Sequence, residues 1–475
     1  MSALGPQPAP ATAVTPVRGR RVTVMGLGLF GGGVGAARWL AREGAHVVAT
    51  DLRDAETLAP ALAALAGTGV EVHLGPHSAR DFEGAELVVA NPAVAPSNPW
   101  LRRAREAGAL ITSEVALFLE RCPARMVGVT GTQGKSSTTT WTAAFLAPVA
   151  RRVHLGGNIG GSLLEALDGI DARDAVALEL SSYQLEALPP RGALAPRLAA
   201  AAVTNVLADH LERHGDVAEY ARAKARILEL VAPGGTVLLP RSLAGRPPFH
   251  RAAEHGRRVL VHDGNDHDPS QPADLTLADG RFRVAGEDLG PTAALRVPGP
   301  FQAANVLVAL GAARALGAPA EALAALVPTL VGLPHRVEDL GLRGGVRVID
   351  NGVSTTPDST VSALPGVPPG PLTVLLGGAA KRDLALDGLA EALAQRGARA
   401  VVFGAAADAL GSALAAAGVP CQRAADAVAA AAVGLAATPR GGTLLFSPAC
   451  ASFDAWPNFE ARARAFRAAL PPLDR

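Results

Sequence analysis

A seven-residue segment of the chain, GTQGKSS at 131–137, has the residue types of a phosphate-binding loop. It lies between a short apolar run typical of a β-strand and a Thr-rich stretch typical of a helix, and such a junction presents backbone N–H groups to an anion. Lys135 would reach the terminal phosphates of ATP, and the Ser136 hydroxyl would bind Mg²⁺. The longer Walker pattern is incomplete, because Val129 stands where its first glycine belongs. The segment predicts that ATP contacts Gly131, Thr132, Gln133, Gly134, Lys135, Ser136 and Ser137.

Three residues downstream of this loop could complete a catalytic site. Glu179 and His210 follow predicted strands, where a carboxylate and an imidazole could bind Mg²⁺ beside the nucleotide. Lys224 lies on the next predicted helix and is one of only three lysines among 44 basic residues. An ammonium would repel a metal ion, whereas a neutral amine that has reacted with CO₂ becomes an anionic carbamate, a reaction closed to arginine. The scarcity of lysine, together with the family resemblance given below, makes carbamylated Lys224 a candidate metal ligand.

A second glycine-rich turn, GLGLFG at 26–31, joins a predicted strand to a predicted helix. Asp51 ends the next strand, as in βαβ units that bind the ribose of NAD(P) through an acid at this position. A turn of this kind could bind another nucleotide, such as a UDP-sugar, in the same way. A glycine-rich turn that binds no ligand has the same pattern. This motif alone does not choose among the three.

Alternating strand and helix patterns predict an α/β protein with three domains that position these residues. A loose tail covers 1–20, a Rossmann-like domain 21–122, a P-loop ATPase-like domain with a parallel sheet 123–331, and a second Rossmann-like domain 332–475. The polar stretch 262–299 is interpreted as hairpins that form a small β edge of the central sheet. Because the candidate residues follow strands, they are expected at the carboxyl edges of parallel sheets, where ligands bind.

Composition excludes several classes of protein. Hydrophobic residues make up 49% of the 475 residues and charged residues 18%, which is enough apolar material for several cores and too little charge for a disordered chain. A net charge of +1 gives no field that would attract nucleic acid or an anionic membrane. Three cysteines without a CxxC pair argue against disulfides and thiolate metal sites. With no apolar window long enough for a membrane helix, these features predict a cytoplasmic protein whose partners are small molecules.

The order of several motifs resembles the Mur ligase family. In chain order they are GTQGKSS (131–137), GGNIG (156–160), LELSSYQLE (178–186), TNVLADHLERH (204–214), LPHR (333–336), GGAAK (377–381) and SPACASFDAWPNFE (447–460). The resemblance implies an ADP-forming amide ligase of peptidoglycan precursor synthesis that works through an acyl phosphate. Two of the motifs point to the branch that adds D-glutamate to UDP-N-acetylmuramoyl-L-alanine. The implied cofactors are ATP, two Mg²⁺ ions and a carbamylated lysine, and the implied state is a monomer.

The resemblance also assigns roles to individual residues. The implied catalytic residues are Lys135, Glu179, His210 and Lys224. The implied metal ligands are Ser136, Glu179, His210 and carbamylated Lys224. Beyond the phosphate loop, ATP would contact Asn305, Arg336 and Asn351. The UDP substrate would contact Leu29, Phe30, Asp51, Arg53, Asn158 and Ser181, so that the first glycine turn would serve a uridine nucleotide. Glutamate would contact Thr355, Lys381, Ser452 and Phe459.

Several positions depart from the family pattern. Asn351 stands where the family commonly has Asp near the ATP ribose, and Val353 stands where it commonly has Lys. Asp350 is the candidate to take over the acidic role by a one-residue shift. Phe301-Gln302 replaces a His-Asn pair, and Ala379 replaces an acid.

Three other interpretations stay open at this point. The first is a ligase of the same family that uses L-glutamate or another amino acid. The second is an NAD(P)-dependent oxidoreductase built on the first glycine turn, which would leave the phosphate loop unexplained. The third is a catalytically silent binding protein, suggested by the altered segment 350–356.

Overall fold

The computed structural model describes residues 14–28, 31–262, 273–297, 299–379 and 385–474. These residues form two compact units: the first runs to Thr292 and includes Ala304–Val327, and the second consists of Ala293–Ala303 and the chain from Pro328 onward. Three sheets confirm the predicted α/β class, while the predicted domain boundaries stay predictions. Of the candidate site residues, Leu29, Phe30 and Lys381 lie outside the described residues. None of the helices within the described ranges is long and apolar enough to cross a membrane.

The first sheet has five strands: β1 (Arg21–Met25), β2 (His46–Asp51), β3 (Glu71–Leu74), β4 (Leu87–Ala90) and β5 (Leu110–Thr112). Its helices are α1 (Gly32–Arg42), α2 (Ala59–Leu65), α3 (Ala79–Glu83), α4 (Pro99–Glu106) and α5 (Glu114–Arg121). All strand pairs are parallel, in the order β3-β2-β1-β4-β5. Gly26, Asp51 and Asn91 therefore meet at one edge, because they stand at the ends of three adjacent strands.

The second sheet has nine strands: β6 (Arg125–Thr130), β7 (Val153–Gly157), β8 (Ala175–Glu179), β9 (Leu198–Val203), β10 (Val231–Pro240), β11 (Arg257–His262), β12 (Leu275–Ala278), β13 (Arg281–Val284) and β14 (Glu287–Pro291). Its helices are α6 (Lys135–Leu146), α7 (Ser182–Glu186), α8 (Leu211–His214), α9 (Val217–Ala225), α10 (Arg241–Ala244), α11 (Pro300–Ala315) and α12 (Ala320–Leu326). The order is β14-β13-β12-β11-β10-β9-β6-β8-β7. Only the pairs among β12, β13 and β14 are antiparallel within the described part of this sheet, which confirms the predicted β edge. β6 lies between β8 and β9, so the phosphate loop emerges beside Glu179 and Thr204.

The third sheet has six strands: β15 (Glu338–Arg343), β16 (Val346–Asp350), β17 (Leu372–Gly377), β18 (Arg399–Phe403), β19 (Cys421–Arg423) and β20 (Thr443–Ala449). Its helices are α13 (Pro357–Ala363), α14 (Asp387–Gln395), α15 (Ala407–Ala416), α16 (Ala427–Ala437) and α17 (Phe459–Ala468). The order is β15-β16-β20-β17-β18-β19, and only β15 pairs antiparallel among these strands as described. Val374 and Leu375 belong to separate apolar clusters, so both faces of this sheet are covered, as parallel sheets require.

The first and second sheets share one apolar core. Trp39 and Phe118 from the first region belong to the same buried cluster as Leu164 and Leu185 from the second. This common core explains why the two sheets form a single compact unit, since apolar burial is the main favourable contribution to association of structural elements.

The helix that carries Lys224 differs from its prediction. The pattern predicts one helix over 217–230, whereas the α-helix ends at Ala225 and continues as the 3-10 helix Arg226–Leu230. The last turns of helices often tighten in this way, and here the tightened turn leads directly into β10. The other 3-10 helices described are Leu167–Gly169, Phe249–Glu254, Thr292–Ala294, Val327–Thr329 and Leu364–Gly366.

Two arginine side chains each donate hydrogen bonds to several backbone carbonyls of loops. Arg226 donates to the carbonyls of Leu185, Glu186, Leu188 and Pro189. Arg462 is fully buried and donates to the carbonyls of Gly377, Cys450 and Ala451 at 3.2, 2.9 and 3.1 Å. A planar guanidinium with five donors can serve several acceptors at once, which a compact ammonium does less well.

Candidate active site

The phosphate loop turns sharply between β6 and α6 through two glycines with positive φ. Gly131 has φ 152° and Gly134, which caps the N-terminus of α6, has φ 78°. A Cβ at Gly131 would overlap the Thr204 hydroxyl, and one at Gly134 would overlap the side-chain amide of Asn305. Only glycine permits this close approach, and the result is a cradle in front of a helix N-terminus that fits a phosphate group.

Residues after β9 hold the loop in shape. The Gln133 N–H donates to Asn205 Oδ1 at 2.9 Å, and the Thr204 hydroxyl donates to the Gln133 carbonyl at 2.6 Å. Within the loop, Lys135 Nζ donates to the Thr132 carbonyl at 2.8 Å. Thr204 and Asn205 were not among the predicted site residues, although their place at a strand end was a usable signal.

Glu179 places a buried carboxylate beside this loop. The residue is 1% exposed, and its Oε1 accepts a hydrogen bond from Asn158 Nδ2 at 2.7 Å. Its Oε2 is buried and has no hydrogen-bond partner among the described residues. An orphaned carboxylate oxygen is costly to bury, so a cation suits this position. Together with the hydroxyl of Ser136, the second residue of α6, this donor set fits Mg²⁺.

Lys224 reaches the phosphate loop from α9. Its side chain is 1% exposed, its Nζ donates to the Gly131 carbonyl at 2.6 Å, and the same atom lies 4.3 Å from the centre of the Tyr220 ring. Burial lowers the pKa of Lys224 well below its usual value, and the charge of Lys135 lowers it further, while Asp209 and Glu179 act in the opposite direction. Burial thus disfavours the charged form, and the neutral amine is the form that reacts with CO₂.

His210 stands in an acidic loop just before α8. It adopts a left-handed backbone conformation with φ 53°. Its ring Nε2 lies 3.4 Å from Asp209 Oδ2, and its Nδ1 lies 3.5 Å from Glu212 Oε1 and 3.3 Å from the Tyr183 hydroxyl. These carboxylates favour a cation near the imidazole, and neither acid was among the predicted site residues.

The first glycine turn is closed by the acid that was predicted to bind ribose. Asp51 is buried, and its Oδ2 accepts hydrogen bonds from the N–H groups of Leu27 at 3.0 Å and Gly28 at 3.3 Å. Its Oδ1 accepts a hydrogen bond from the Arg53 N–H at 3.1 Å, while the Arg53 side chain is largely exposed. Asp51 therefore orders the turn itself, which is a different task from the contact with NAD(P) ribose.

The other two predicted UDP contacts within the described residues lie beside Glu179. The Asn158 N–H donates to the Glu179 carbonyl at 2.8 Å, in addition to the side-chain bond described above. Ser181 caps α7, because its side chain accepts from the Gln184 N–H at 3.2 Å. The first unit thus brings the phosphate loop, Glu179, Lys224 and these two residues to one sheet edge.

Of the predicted residues in the second unit, those that the structure describes lie near the ends of β16 and β20. Asn351 is buried, and its Nδ2 donates to the Ser447 hydroxyl at 2.9 Å. Ser452 is buried, Thr355 is half-buried, and the ring of Phe459 meets the edge of the His335 ring at 6.4 Å between centres. Arg336 lies between two residues with positive φ, His335 at 62° and Val337 at 54°. Such a conformation is strained for a β-branched residue and requires support from its surroundings.

A buried charge network provides this support. Asp350 is 0% exposed; its Oδ2 lies 2.7 Å from His335 Nδ1 and accepts from Arg467 Nε at 2.6 Å, while its Oδ1 accepts from the Gly352 N–H at 2.7 Å. Glu338 accepts from the His335 N–H at 2.9 Å and pairs with Arg467. Both oxygens of Asp350 are thus already bonded, which favours a structural task over the predicted contact with the ATP ribose.

Replacing Arg467 by methionine is expected to destabilise the second unit by about 2–3 kcal/mol. Removal of one partner of a buried pair costs about 3–5 kcal/mol, and the 28% exposure of the guanidinium reduces the figure. The measurement is urea unfolding, in which the unfolding transition of the second unit is monitored. The matched control is Arg464→Met on the same helix, whose exposed pair with Glu460 at 3.6 Å contributes little. Equal unfolding midpoints for the two variants would contradict the network's role.

Comparison with known proteins identifies the family of the chain. Residues 129–313 match the Mur ligase middle domain, and residues 20–113 match the Mur ligase MurD-like, N-terminal domain. The UDP-N-acetylmuramoylalanine–D-glutamate ligase of Anaeromyxobacter dehalogenans is 37% identical, over 96% of this chain and 98% of its own. The enzyme of the same name from Roseiflexus sp. is 35% identical, over 94% of this chain and 98% of its own.

Solved structures agree at the level of the fold. The UDP-N-acetylmuramate–alanine ligase of Thermotoga maritima superimposes with a TM-score of 0.58 at 20% identity, covering 94% of this chain and 98% of that chain. A pseudomurein peptide ligase type C from Methanothermus fervidus gives a TM-score of 0.55 at 16% identity, covering 94% and 99%. Because the relatives are more than 30% identical over nearly the full length, and the fold agrees, the chain belongs to the Mur ligase family.

Proposed function

We propose that this chain is an ATP-dependent ligase that adds D-glutamate to UDP-N-acetylmuramoyl-L-alanine in peptidoglycan precursor synthesis. The observation that carries the proposal is the assembly of the phosphate loop, the orphaned Glu179 oxygen and the buried Lys224 at one sheet edge. Relatives with the matching name at about 35% identity over nearly the whole chain support the choice of substrates. The expectation of a cytoplasmic monomer is part of the same proposal.

The reaction joins two anions, so the site must hold them together and balance their charge. A carboxylate oxygen of the alanyl group attacks the γ-phosphorus of ATP, the bond to the bridging oxygen breaks, and ADP leaves. The glutamate nitrogen, after losing a proton, then attacks the acyl carbon, and phosphate leaves with the electron pair of its bond to that carbon. The products are the amide, ADP and phosphate.

The chain's own residues have defined tasks in this scheme. Backbone N–H groups of the loop and the Lys135 ammonium bind the phosphates, and Asn305 packs against Gly134 at the same loop. Ser136 and Glu179 would hold one Mg²⁺, and His210 with carbamylated Lys224 would hold a second. Bound Mg²⁺ would neutralise phosphate charge. Arg336 and Asn351 are proposed to contact ATP, and Thr355, Lys381, Ser452 and Phe459 to contact glutamate.

The UDP substrate is proposed to use the first glycine turn. Asp51 orders that turn from behind, and Arg53 is exposed beside it. Leu29, Phe30, Asn158 and Ser181 are the other proposed contacts. Asp51 Oδ2 is engaged by the turn and Oδ1 by the Arg53 N–H, whereas the oxidoreductase interpretation needs this acid for a ribose hydroxyl.

An amino-acid panel tests the proposed function. With ATP, Mg²⁺ and UDP-N-acetylmuramoyl-L-alanine, release of ADP is expected with D-glutamate and at least ~100-fold more slowly with L-glutamate, other amino acids or none, because a misplaced amine loses its orientation for attack. ADP release would be followed by a coupled assay. Faster release with another amino acid would identify a different ligase of the family, and no release with any of them would contradict ligase activity.

A further inference from the structure

One arginine just after His210 connects two sites that lie on different sheets of the first unit. Arg213 belongs to α8, and its side chain is only 13% exposed. Its Nε donates to Glu186 Oε2 at 2.8 Å. Its terminal nitrogens donate to three consecutive backbone carbonyls of the first region, those of Pro92 at 3.4 Å, Ala93 at 3.0 Å and Val94 at 3.1 Å. A single guanidinium thus serves four acceptors, three of them more than a hundred residues away.

The carbonyls belong to a loop that packs directly on the first glycine turn. This loop, residues 91–94, begins with Asn91, whose Nδ2 donates to the Gly26 carbonyl at 3.3 Å. A Cβ at Gly26 would lie 2.9 Å from Asn91 Cβ, and one at Gly28 would lie 2.9 Å from Asn91 Nδ2. The turn and the loop are in such close contact that a shift of the loop must displace the turn.

The other side of the same guanidinium faces the His210 loop. The Arg213 Cζ lies 5.0 Å from the centre of the Tyr183 ring, a cation–π distance, and the Tyr183 hydroxyl lies 3.3 Å from His210 Nδ1. The Arg213 N–H also donates to the His210 carbonyl at 3.0 Å, which helps to close the left-handed turn at that residue.

We propose that Arg213 is a positioning residue that fixes, through one guanidinium, both the loop 91–94 beneath the UDP-substrate turn and the orientation of His210 in the metal site. This inference rests on the proposed function, because it takes the UDP substrate and Mg²⁺ as the ligands. The planar fork of arginine matches this set of acceptors, and a lysine at the same place would retain the charge without reaching all of them. Tyr183 connects Arg213 to the His210 side, through the His210 ring and through the stacked His214 ring at 5.7 Å between centres.

The test is a pair of binding measurements on the full-length protein. Isothermal titration calorimetry would give the Kd of UDP-N-acetylmuramoyl-L-alanine, and electron paramagnetic resonance of free Mn²⁺ would give the Kd of the metal in the presence of a non-hydrolysable ATP analogue. Arg213→Met is expected to raise both Kd values at least fivefold, and Arg213→Lys is expected to raise both to a smaller extent. Tyr183→Phe is expected to raise the Mn²⁺ Kd while leaving the Kd of the UDP substrate within twofold of wild type.

The matched control is Arg38→Met, because Arg38 on α1 also contacts the second region, through Glu165 at 3.2 Å, without touching either loop. Both its Kd values are expected to equal those of wild type. The proposal is overturned if the Arg213 variants change only one Kd or neither, or if Tyr183→Phe weakens both ligands equally. Should Arg213→Met fail to fold, Arg213→Lys and Tyr183→Phe decide the matter. A wild-type protein that binds neither ligand would instead contradict the proposed function.

Discussion

Substitution of Lys224 by arginine is expected to lower kcat by roughly 10²–10³-fold, although the positive charge of the side chain is kept. A loss of this size is typical when one preorganised electrostatic group is removed from a site. The physical reason is chemical: the buried amine, next to the Gly131 carbonyl and the Tyr220 ring, has a lowered pKa and can form a carbamate. A guanidinium cannot react in this way and would bring a fixed charge to a place proposed for a metal ion.

Three measurements distinguish loss of the carbamate from a packing effect of the larger arginine side chain as the cause of the lower activity. Wild-type protein equilibrated with ¹³C-labelled bicarbonate is expected to show a carbamate carbon resonance that the variant lacks. Removal of CO₂ from wild type, which changes no residue, is expected to reduce activity reversibly. Thermal unfolding of Lys224→Arg reports its folding. Full activity of wild type in CO₂-free buffer, with no labelled resonance, would contradict carbamylation.

Replacement of Lys135 by methionine is expected to slow ADP formation by roughly 10²–10³-fold and to weaken binding of an ATP analogue. Methionine keeps most of the length of the side chain and removes the ammonium that is proposed to meet the γ-phosphate. The loop itself should persist, because Thr204 and Asn205 hold it through bonds to Gln133. Binding of the UDP substrate is therefore expected to stay within twofold of wild type. Calorimetry with each ligand and a coupled ADP assay give these quantities.

The control for this substitution is Arg222→Met, which removes a cation from an exposed pair with Glu219 on α9. Its activity is expected to match wild type, since an exposed pair contributes little. If Lys135→Met bound the ATP analogue and turned over as wild type does, the phosphate-loop assignment would be wrong. Equal loss of affinity for both ligands would point to collapse of the loop instead.

The sequence was most informative where the chemistry is local. The phosphate loop could be predicted because a strand, two glycines and a helix start occur within a few residues, and the structure has that geometry at Gly131 and Gly134. The placement of Glu179 also followed from local patterns, because parallel strands end at a common edge.

Contacts between distant segments were beyond such reasoning. Asp350 and Arg467 are 117 positions apart, and no local pattern indicates that they pair. The role of Asp51 shows a different limit, because an acid at the end of β2 can bind a ribose or close the glycine turn with the same residue spacing. Both the Asp350–Arg467 pair and the bonds of Asp51 depend on tertiary geometry. The periodicity of a single segment contains no information about that geometry.

Arg226 and Arg462, which each bond several backbone carbonyls, have a consequence for redesign of this protein. Arg226 determines the path of 185–189, and Arg462 determines the path around 450–451, from side chains that lie elsewhere in the chain. Loops held in this way need few turn-specific residues of their own, so half-buried side chains within them, such as those of Ala187 and Ala451, can be exchanged to alter substrate preference while the backbone course is retained. The arginines themselves are poor targets for such changes, because one substitution would release several peptide groups together.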